Sequence, residues 1–408
     1  MIRRLTDGLL VGLGLTIVLS FAGLAADTPR AASASALKVR TYYVAADEVE
    51  WDYAPGGINK MMGTKFDGYA KTFAERGPHR IGTVYRKAVY REYTDETFTK
   101  LKPRALEWQH LGMLGPVLRA EVGDTIKVNF RNNTTHPYSM HPHGVFYEKA
   151  SEGSNYEDDS TAADKANNTV PSGQTHIYTW QVPERAGPGP GDGSSVVWLY
   201  HSHVNEPKDV ESGLIGAIII TARGMARADG RPKDVDREFV NLFMIVDENT
   251  SWYLNHNIQT YASDPKGVNK MELIPTDDEG TFSLVGTGFV AANVKAAING
   301  YIYGNMPMMT MKKGERVRWY LVTIGEGFNI HTPHWHGNVV LDRGRRTDVV
   351  AISPPRCSRW TWFPTTRVSG CITAISTITW MRAWWRCTRS SHDTGLAEVA
   401  HATNSGDG

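Results

Sequence analysis

An internal repeat is the feature that most restricts how this 408-residue chain can fold. Gly123-Asp124, an alternating apolar and polar run, and the motif His-Pro-His-Gly at 141–144 form the first copy. Gly314-Glu315, a similar run, and His-Trp-His-Gly at 334–337 form the second. The copies are 191 residues apart from Gly123 to Gly314 and 193 from His143 to His336. Two similar domains in one chain explain a repeat of this length.

The segments around the repeat are typical of β-strands. Apolar and polar residues alternate in 123–130, and short apolar runs at 196–200, 214–221 and 239–246 are further strand candidates. The Gly- and Pro-rich stretch 186–194 is predicted to be a loop. Because convincing amphipathic helices are few, the chain is predicted to be all-β.

The domain limits follow from composition. A polar, basic and glycine-containing connection, 223–237, divides domain 1 (37–222) from domain 2 (238–354). The segment 355–408 differs from both domains in composition and is treated separately below. All three cysteines lie within the last 52 residues, so the first 356 hold neither a disulfide nor a thiolate ligand, and zinc-finger and disulfide-scaffold classes are excluded.

The N-terminal segment and the overall charge bear on location and partners. In residues 1–36, Arg3 and Arg4 precede an apolar run and a series of small residues, a pattern that predicts an export signal. The mature protein is therefore predicted to be periplasmic or extracellular and free of the membrane. With 44 Lys+Arg against 43 Asp+Glu, the charge gives no reason to expect nucleic acid as a partner.

Half of the fourteen histidines fall in three tight clusters. On a strand, residues i and i+2 face the same side, so a His-x-His pair presents two imidazoles together. Imidazole is a ligand for copper, zinc, iron and nickel, and two clusters occupy matching points of the repeat. The clustered residues are predicted metal ligands: His141, His143, His201, His203, His331, His334 and His336.

These motifs carry a family resemblance. His-Pro-His-Gly at 141–144, Tyr-His-Ser-His at 200–203 and His-Thr-Pro-His-Trp-His-Gly at 331–337 resemble three of the four copper motifs of multicopper oxidases. The resemblance covers roughly residues 40–350. Within that range, four segments resemble the ceruloplasmin and hephaestin branch of the family: 114–116, 121–132, 209–216 and 247–254. It implies two cupredoxin-like Greek-key β-barrel domains, with the C-terminal end of domain 2 disrupted.

The resemblance also implies a role for each histidine. His141 and His334 would bind the type 2 copper. The type 3 coppers would be bound by His143, His201, His203 and His336, and His331 would bind type 1 copper. Domain 1 should hold no type 1 copper, because Ser202 stands where a thiolate is needed, and Tyr138 and Pro207 stand where its histidines would fall.

The fourth motif, His-Cys-His-x3-His-x4-Met, is absent. From Pro355 to His392 there are six arginines, five tryptophans, three cysteines and no acidic residue. Codons permitted for 370–375, read two bases later, give Leu-Tyr-His-Cys-His, and the downstream codons permit the remaining ligands at the right spacing. We therefore predict that 355–408 is out of frame, that domain 2 lacks its closing strand, and that this chain has no oxidase turnover.

The implied reaction is that of a multicopper oxidase. A small reducing substrate, organic or a metal ion, would supply electrons singly, and dioxygen would be reduced to water. Two domains with one type 1 site resemble two-domain laccases, which implies a homotrimer with the copper cluster between subunits. Ceruloplasmin-type ferroxidases carry an acid and a histidine just before Ile298-Asn299-Gly300, where this chain has Ala291 and Ala296.

Other interpretations remain open at this point. Asp158 lies where related oxidases place a carboxylate near type 2 copper and is a candidate proton relay, or else an exposed loop acid or part of a calcium site with Asp159 and Asp164. For the whole chain, the alternatives are a two-domain copper nitrite reductase and a non-catalytic pair of copper-binding A-type domains.

Overall fold

The computed structural model describes residues 37–156, 158–270, 288–325 and 330–353 in full, and 356–362, 370–374 and 385–391 as strand backbone. The predicted export signal at 1–36 and the rest of the predicted out-of-frame segment lie outside the described residues.

The first barrel is built from eight strands, which confirms the all-β prediction for this part of the chain. Strand β4 shows the predicted alternation, since Ile126, Val128 and Phe130 are fully buried and the residues between them are partly exposed. The strands are β1 (Val39–Asp52), β2 (Val84–Tyr93), β3 (Leu118–Glu121), β4 (Thr125–Asn132), β5 (His141–Pro142), β6 (Thr175–Gln181), β7 (Ser195–His201) and β8 (Ile215–Thr221).

Two four-stranded sheets face each other in this barrel. Their strand orders are β2-β1-β4-β6 and β3-β8-β7-β5. Strand β1 is parallel to β4 and antiparallel to β2, while β5 is antiparallel to β7. Buried side chains from both sheets, such as Val44 and Val128 from one and Leu118 and Ile218 from the other, form one apolar cluster between them.

The second barrel repeats this arrangement. Its sheets have the orders β10-β9-β12-β16-β14-β15 and β11-β18-β17-β13, and the pairings β9–β12, β9–β10 and β13–β17 have the same directions as their counterparts. The strands are β9 (Arg237–Asp247), β10 (Val294–Ile298), β11 (Met309–Lys312), β12 (Val317–Thr323), β13 (Pro333–Trp335), β14 (Val340–Asp342), β15 (Arg345–Thr347), β16 (Arg356–Trp362), β17 (Gly370–Ala374) and β18 (Trp385–Ser391).

The last three strands correct one prediction. Domain 2 was expected to lack its closing strand, yet β16, β17 and β18 take the positions that β6, β7 and β8 take in the first barrel. Strand pairing uses backbone N–H and C=O groups, so a segment can complete a sheet without carrying the side chains that a metal site at that position requires.

Helices are few and short, as predicted. The α-helices are α1 (Ala70–Ala74), α2 (Ala162–Lys165), α3 (Glu206–Ser212), α4 (Leu254–Tyr261) and α5 (Phe289–Ala292), and 3-10 turns occur at Leu106–Leu111, Lys149–Ser151, Glu184–Ala186 and Pro265–Gly267. Among the described residues, no helix combines the length and the apolar character that crossing a membrane requires.

The two barrels share a core. One apolar cluster contains Leu199 and Ile219 from the first barrel together with Leu242 and Val322 from the second, all of them buried. Burial of apolar side chains stabilises a contact by roughly 25 cal/mol per Å². The barrels therefore pack directly against each other, while the predicted domain limits at 222 and 238 stay a prediction.

Candidate metal centre

Four histidines of the first barrel lie side by side where β5 meets β7. The antiparallel register places His141 opposite His201, and His143 and His203 each follow two residues later. Centroids of neighbouring imidazole rings are 5.1 to 5.6 Å apart. We call these four residues the first histidine set. Residues 58 or more positions apart in sequence are thus brought together by one strand pair.

Backbone carbonyls set the tautomers of two of these rings. His141 Nδ1 lies 2.7 Å from the carbonyl oxygen of Glu152, and His201 Nδ1 lies 3.0 Å from that of Ser202. A carbonyl oxygen only accepts hydrogen bonds, so each Nδ1 carries the proton and each Nε2 keeps its lone pair. Ligand histidines in metal sites are oriented in this way by an outer-shell acceptor.

Burial favours the neutral form of three rings in the first histidine set: His141, His143 and His201. Loss of water lowers the pKa of His201 to about 3 and that of His143 to about 4. Neighbouring imidazoles lower both values further, with His143 acting on His201 and His141 acting on His143. Burial also lowers the pKa of His141. The Nε2 atoms of His143 and His201 face each other at 2.9 Å. Neutral imidazole is the form that binds a metal, so near neutral pH no proton has to be removed first.

The loop that contains Glu152, whose carbonyl orients His141, is held in place by polar contacts. Glu152 is paired with Lys149 at 2.8 Å, and Ser139 Oγ donates to the carbonyl of Gly153 at 2.6 Å. Gly153 has φ +70°, and a Cβ there would lie 2.2 Å from the carbonyl oxygen of Met140. Glycine is required because only its backbone can turn this close to the strand that carries His141.

Ser202 and Tyr138 are the residues that the sequence analysis placed at type 1 ligand positions. Both are fully buried. Ser202 Oγ donates to Asp209 Oδ2 at 2.7 Å and accepts from the backbone N–H of Ser139 at 3.1 Å. Tyr138 Oη donates to Tyr253 Oη at 3.4 Å. Hydroxyl groups therefore stand at this point of the first barrel.

The second barrel presents His331, His334 and His336, which we call the second histidine set. Rings of His334 and His336 have centroids 5.8 Å apart, and His334 Nδ1 lies 3.1 Å from the carbonyl oxygen of Asp348. His334 therefore has the same tautomer as His141, its counterpart in the repeat. His331 is buried near Phe243, and burial lowers its pKa to about 4.

Each histidine set is incomplete by itself. Among the described residues, no three His, Cys, Asp or Glu side chains are grouped to hold one metal ion. In that part of the chain, the rings of His334 and His336 contact each other, and the rings of the first set contact one another. Among the described residues, no ring contact joins the first set to the second.

Asp158 lies in a cluster of lysines. Its carboxylate accepts from the backbone N–H of Ser160 at 3.0 Å and pairs with Lys149 at 3.1 Å and Lys165 at 3.4 Å. The Ser160 hydrogen bonds and Lys149 hold the pKa of Asp158 well below its usual range. Such a carboxylate is a poor proton carrier near neutral pH. Asp164, the proposed calcium partner, is engaged in the capping box of α2 with Thr161.

Ala291 and Ala296 are both buried. Ala291 belongs to α5 and Ala296 to β10. A methyl group offers no oxygen donor, so neither position provides the carboxylate or imidazole that an iron site of the ceruloplasmin type would need there.

Sequence analysis missed two residues beside the first histidine set. Glu206 begins α3, and its carboxylate lies 3.4 Å from His203 Nε2 and 4.0 Å from His201 Nε2. Its place three residues after His203 was a signal that could have been used. Asp209 is fully buried behind the same turn and accepts the hydrogen bond from Ser202. Only the fold reveals Asp209, because the donors that surround it come from distant segments.

Comparison with known proteins agrees with this geometry. Residues 110–225 match the family model described as multicopper oxidase. The ferroxidase HEPHL1 of Homo sapiens is 44% identical over 318 residues, which are 77% of this chain and 26% of the relative. Hephaestin of Homo sapiens is 43% identical over 319 residues (77% and 26%), and ceruloplasmin of Homo sapiens is 37% identical over 317 residues (78% and 28%). The chain thus spans about a quarter of the length of these relatives.

Solved structures share the fold at low identity. The copper nitrite reductase of Nitrosomonas europaea has a TM-score of 0.52 and 16% identity, covering 87% of this chain and 95% of that one. The multicopper oxidase mgLAC has a TM-score of 0.52 and 16% identity, with 89% of each chain covered. At this identity the likeness concerns the fold alone. The cupredoxin fold predicted from sequence is confirmed.

Proposed function

Because the chain carries a multicopper oxidase domain and resembles hephaestin and ceruloplasmin along more than three quarters of its length, we propose that its two histidine sets are copper ligands of an oxidase. The oxidase would take electrons singly from a small reducing substrate and pass them to dioxygen, giving water. One observation carries the proposal. Four imidazoles lie together with neighbouring ring centroids 5.1 to 5.6 Å apart, and backbone carbonyls leave the Nε2 lone pair free on two of them, His141 and His201.

The donor set fits copper. Bound copper would supply one-electron redox chemistry and a place for dioxygen. The residues of this chain would hold and orient it. His141 and His334 are the proposed type 2 ligands, and the carbonyls of Glu152 and Asp348 give both the same tautomer. His143, His201, His203 and His336 are the proposed type 3 ligands, and His331 is the proposed type 1 ligand.

The incompleteness of each set supports a site shared between chains. The first set of one chain would meet the second set of the next, and head-to-tail contact of this kind closes into a ring. A homotrimer remains the predicted ring and gains no support from the comparisons. Sedimentation of the mature protein would measure it. A monomer that binds a full set of coppers would refute the shared site.

The register of the second barrel supports the reading-frame proposal. Thr373 lies opposite His334, as His201 lies opposite His141. In the shifted frame, the first histidine of His-Cys-His is encoded by the last base of codon 372 and two bases of codon 373. The missing ligand would therefore occupy the position that the repeat requires. As written, the chain lacks this histidine, the type 1 thiolate and the second type 3 ligand, so we propose that it has no turnover.

Copper content and colour test the proposal. The in-frame oxidase should bind about four coppers per chain and a nitrite reductase about two, whereas a binding module should hold at most about one. This chain should lack the intense blue band of a copper–thiolate bond, and a strong blue colour would contradict the reading-frame proposal. The DNA sequence around codons 353–355 would show directly whether a base has been lost or gained.

Substrate and location complete the proposal. The relatives named ferroxidases suggest a metal ion as reductant, but buried Ala291 and Ala296 leave no iron ligands at those positions, so an organic reductant is equally compatible with the chain. Export through residues 1–36 is proposed from sequence. N-terminal sequencing of the mature protein would test it, and a mature chain that still starts at Met1 would refute it.

A further inference from the structure

Asp209 is a buried carboxylate directly behind the first histidine set. Its Oδ2 accepts hydrogen bonds from Ser202 Oγ at 2.7 Å and from the backbone N–H groups of Val204 and Asn205, both at 3.0 Å. Its Oδ1 accepts from Trp252 Nε1 at 2.8 Å. In the part of the chain that the structure describes, no lysine or arginine forms an ion pair with Asp209. Four donors therefore hold the carboxylate.

Three of these donors belong to residues on either side of His203 in the sequence. Ser202 precedes it, and Val204 and Asn205 follow it, so one carboxylate oxygen fixes the backbone on both sides of this histidine. Hydrogen bonds to an ionised carboxylate are about twice as strong as neutral ones. This gives the turn after β7 a single conformation, and the directions of the His201 and His203 rings depend on that conformation.

Ser139 ties the same turn to the strand that carries His141. The backbone N–H of Ser139 donates to Ser202 Oγ at 3.1 Å, and Ser139 Oγ accepts from the N–H of His203 at 3.0 Å. Both His-x-His pairs are thereby linked through one buried polar network. The network occupies the place where a type 1 copper would bind its thiolate in a complete barrel.

Trp252 brings the second barrel into this network. It lies between β9 and α4, and its backbone N–H donates to Ser212 Oγ at 3.1 Å. The ring stacks on His136 with centroids 4.9 Å apart, and Lys208 Nζ lies 4.3 Å from the ring centroid. His136 and Lys208 therefore both hold the indole, and its Nε1–H donates to Asp209.

We propose that Asp209 is a positioning residue of the copper site and that Trp252 couples it to the second barrel. Asp209 holds the turn 202–205 so that the imidazoles of His201 and His203 face the rings of His141 and His143. The inference rests on the proposed function in so far as these histidines bind copper. The orientation of the rings, however, is a property of the metal-free chain and is measurable without metal.

The experiment compares Asp209→Asn with the unchanged chain in two measurements. Asparagine has the same shape, but its NH2 group would face a donor, either Trp252 Nε1–H or the N–H groups of the turn. At least one of the four hydrogen bonds that hold the turn 202–205 would therefore be lost. With histidines labelled by 15N, the metal-free D209N protein should lose the single-tautomer ring signal of His201, and the ring signals of His203 should shift. Titration with Cu(II) alone, followed by electron paramagnetic resonance, should show about 10- to 100-fold weaker binding.

Asp124→Asn is the matched control. Asp124 is also a buried carboxylate, accepts from the backbone N–H groups of Lys38 and Glu121 and pairs with Arg40. Its hydrogen-bond partners include no histidine. D124N should lower the stability of the fold and leave the ring signals unchanged. If D209N behaves like D124N in both measurements, Asp209 is merely structural and the inference is overturned.

If D209N does not fold, two milder variants can replace it in the same measurement. Trp252→Phe removes one of the four donors and keeps a ring that can stack, and Ser202→Ala removes another. Each should disturb the ring signals of His201 and His203 less than D209N, and unchanged signals in both would overturn the inference. If the unchanged chain binds no Cu(II) at the first histidine set, the proposed function fails, while the ring signals still decide the role of Asp209.

Discussion

The two barrels have one topology and different chemistry. In the first, β7 brings His201 opposite His141, and a serine held by Asp209 stands at the thiolate position. In the second, β17 takes the place of β7, but Thr373 stands opposite His334. Tyr138 and His331 occupy matching bridges, to Val170 and Ile352. The same strand pairing therefore forms with a histidine or a threonine at this position, because backbone groups make the sheet whereas a metal site needs particular side chains.

The largest expected effect comes from repairing the second barrel. A variant whose tail is translated in the shifted frame should regain the His-Cys-His strand opposite His334 and with it oxidase turnover. The present chain should show no turnover above background. Oxygen consumption with an organic reductant and with Fe(II) would measure this. Turnover by the present chain at the rate of the repaired one would remove the supposed difference between the barrels.

Loss of a ligand in each barrel should affect the present chain unequally. His201→Ala removes a buried member of the first histidine set, so Cu(II) binding by that set should weaken by more than the roughly 10- to 100-fold that loss of an outer-shell partner costs. His336→Ala should leave this binding unchanged in an unassembled chain, because His336 is exposed and contacts none of the first set among the described residues. Equal losses would mean that both sets already bind together.

Acid should destabilise the metal-free protein through its buried histidines. Burial lowers the pKa of His201 to about 3 and that of His143 to about 4 in the fold, against about 6.5 in the unfolded chain. Their contribution is complete above about pH 6.5 and decreases as the pH falls toward the folded values. Between pH 7 and 5, the free energy of unfolding should drop by about 1–2 kcal/mol for each.

One variant in each barrel tests whether this pH effect comes from the buried histidines of the first barrel. His201→Gln should reduce the slope of unfolding free energy against pH, measured by urea titration. His336→Gln is the control from the second barrel and should leave the slope unchanged, since its side chain is exposed. A steeper loss of stability above pH 6.5 than below it would contradict the assignment to these histidines.

The last prediction concerns stability alone, at the glycine that ends the first histidine motif. Gly144 has φ +77°, and a Cβ there would lie 2.1 Å from the Trp198 ring, so Gly144→Ala should cost about 1–3 kcal/mol of stability. Gly173→Ala is the matched control, with φ +75° and open space around the added Cβ. It should cost only about 1 kcal/mol. If urea unfolding gives the same loss of stability for both variants, the Trp198 ring does not clash with a side chain at position 144.

Local patterns carried most of the fold prediction. The alternation in β4 and the apolar runs of β7, β8 and β9 announced these strands, since period-two burial is a property of neighbouring residues. The prediction of a missing closing strand failed in the second barrel, because it was judged from side chains. β17 pairs through its backbone with β13, and that pairing does not depend on whether Thr373 or a histidine is present.

The candidate site also contains residues that local sequence indicates and residues that only the fold brings together. His-x-His spacing indicated the candidate ligands, because residues i and i+2 on a strand share a face. Asp209 escaped notice, since its donors come from Ser202, two backbone groups and Trp252, which lies 43 positions away in sequence. Nothing in the local sequence distinguishes this buried carboxylate from a helix-surface acid. The lysines around Asp158 were likewise invisible until the loop 149–165 was folded.

Sequence by itself determined the duplicated β architecture, the seven candidate histidines and the resemblance to multicopper oxidases, because all of these depend on short-range spacing and on residue type. Tertiary structure alone decided which histidines meet, which imidazole nitrogen keeps its lone pair, and how strongly burial favours the neutral rings. These properties depend on distances between segments far apart in the chain, and such distances exist only once the two sheets of each barrel have closed.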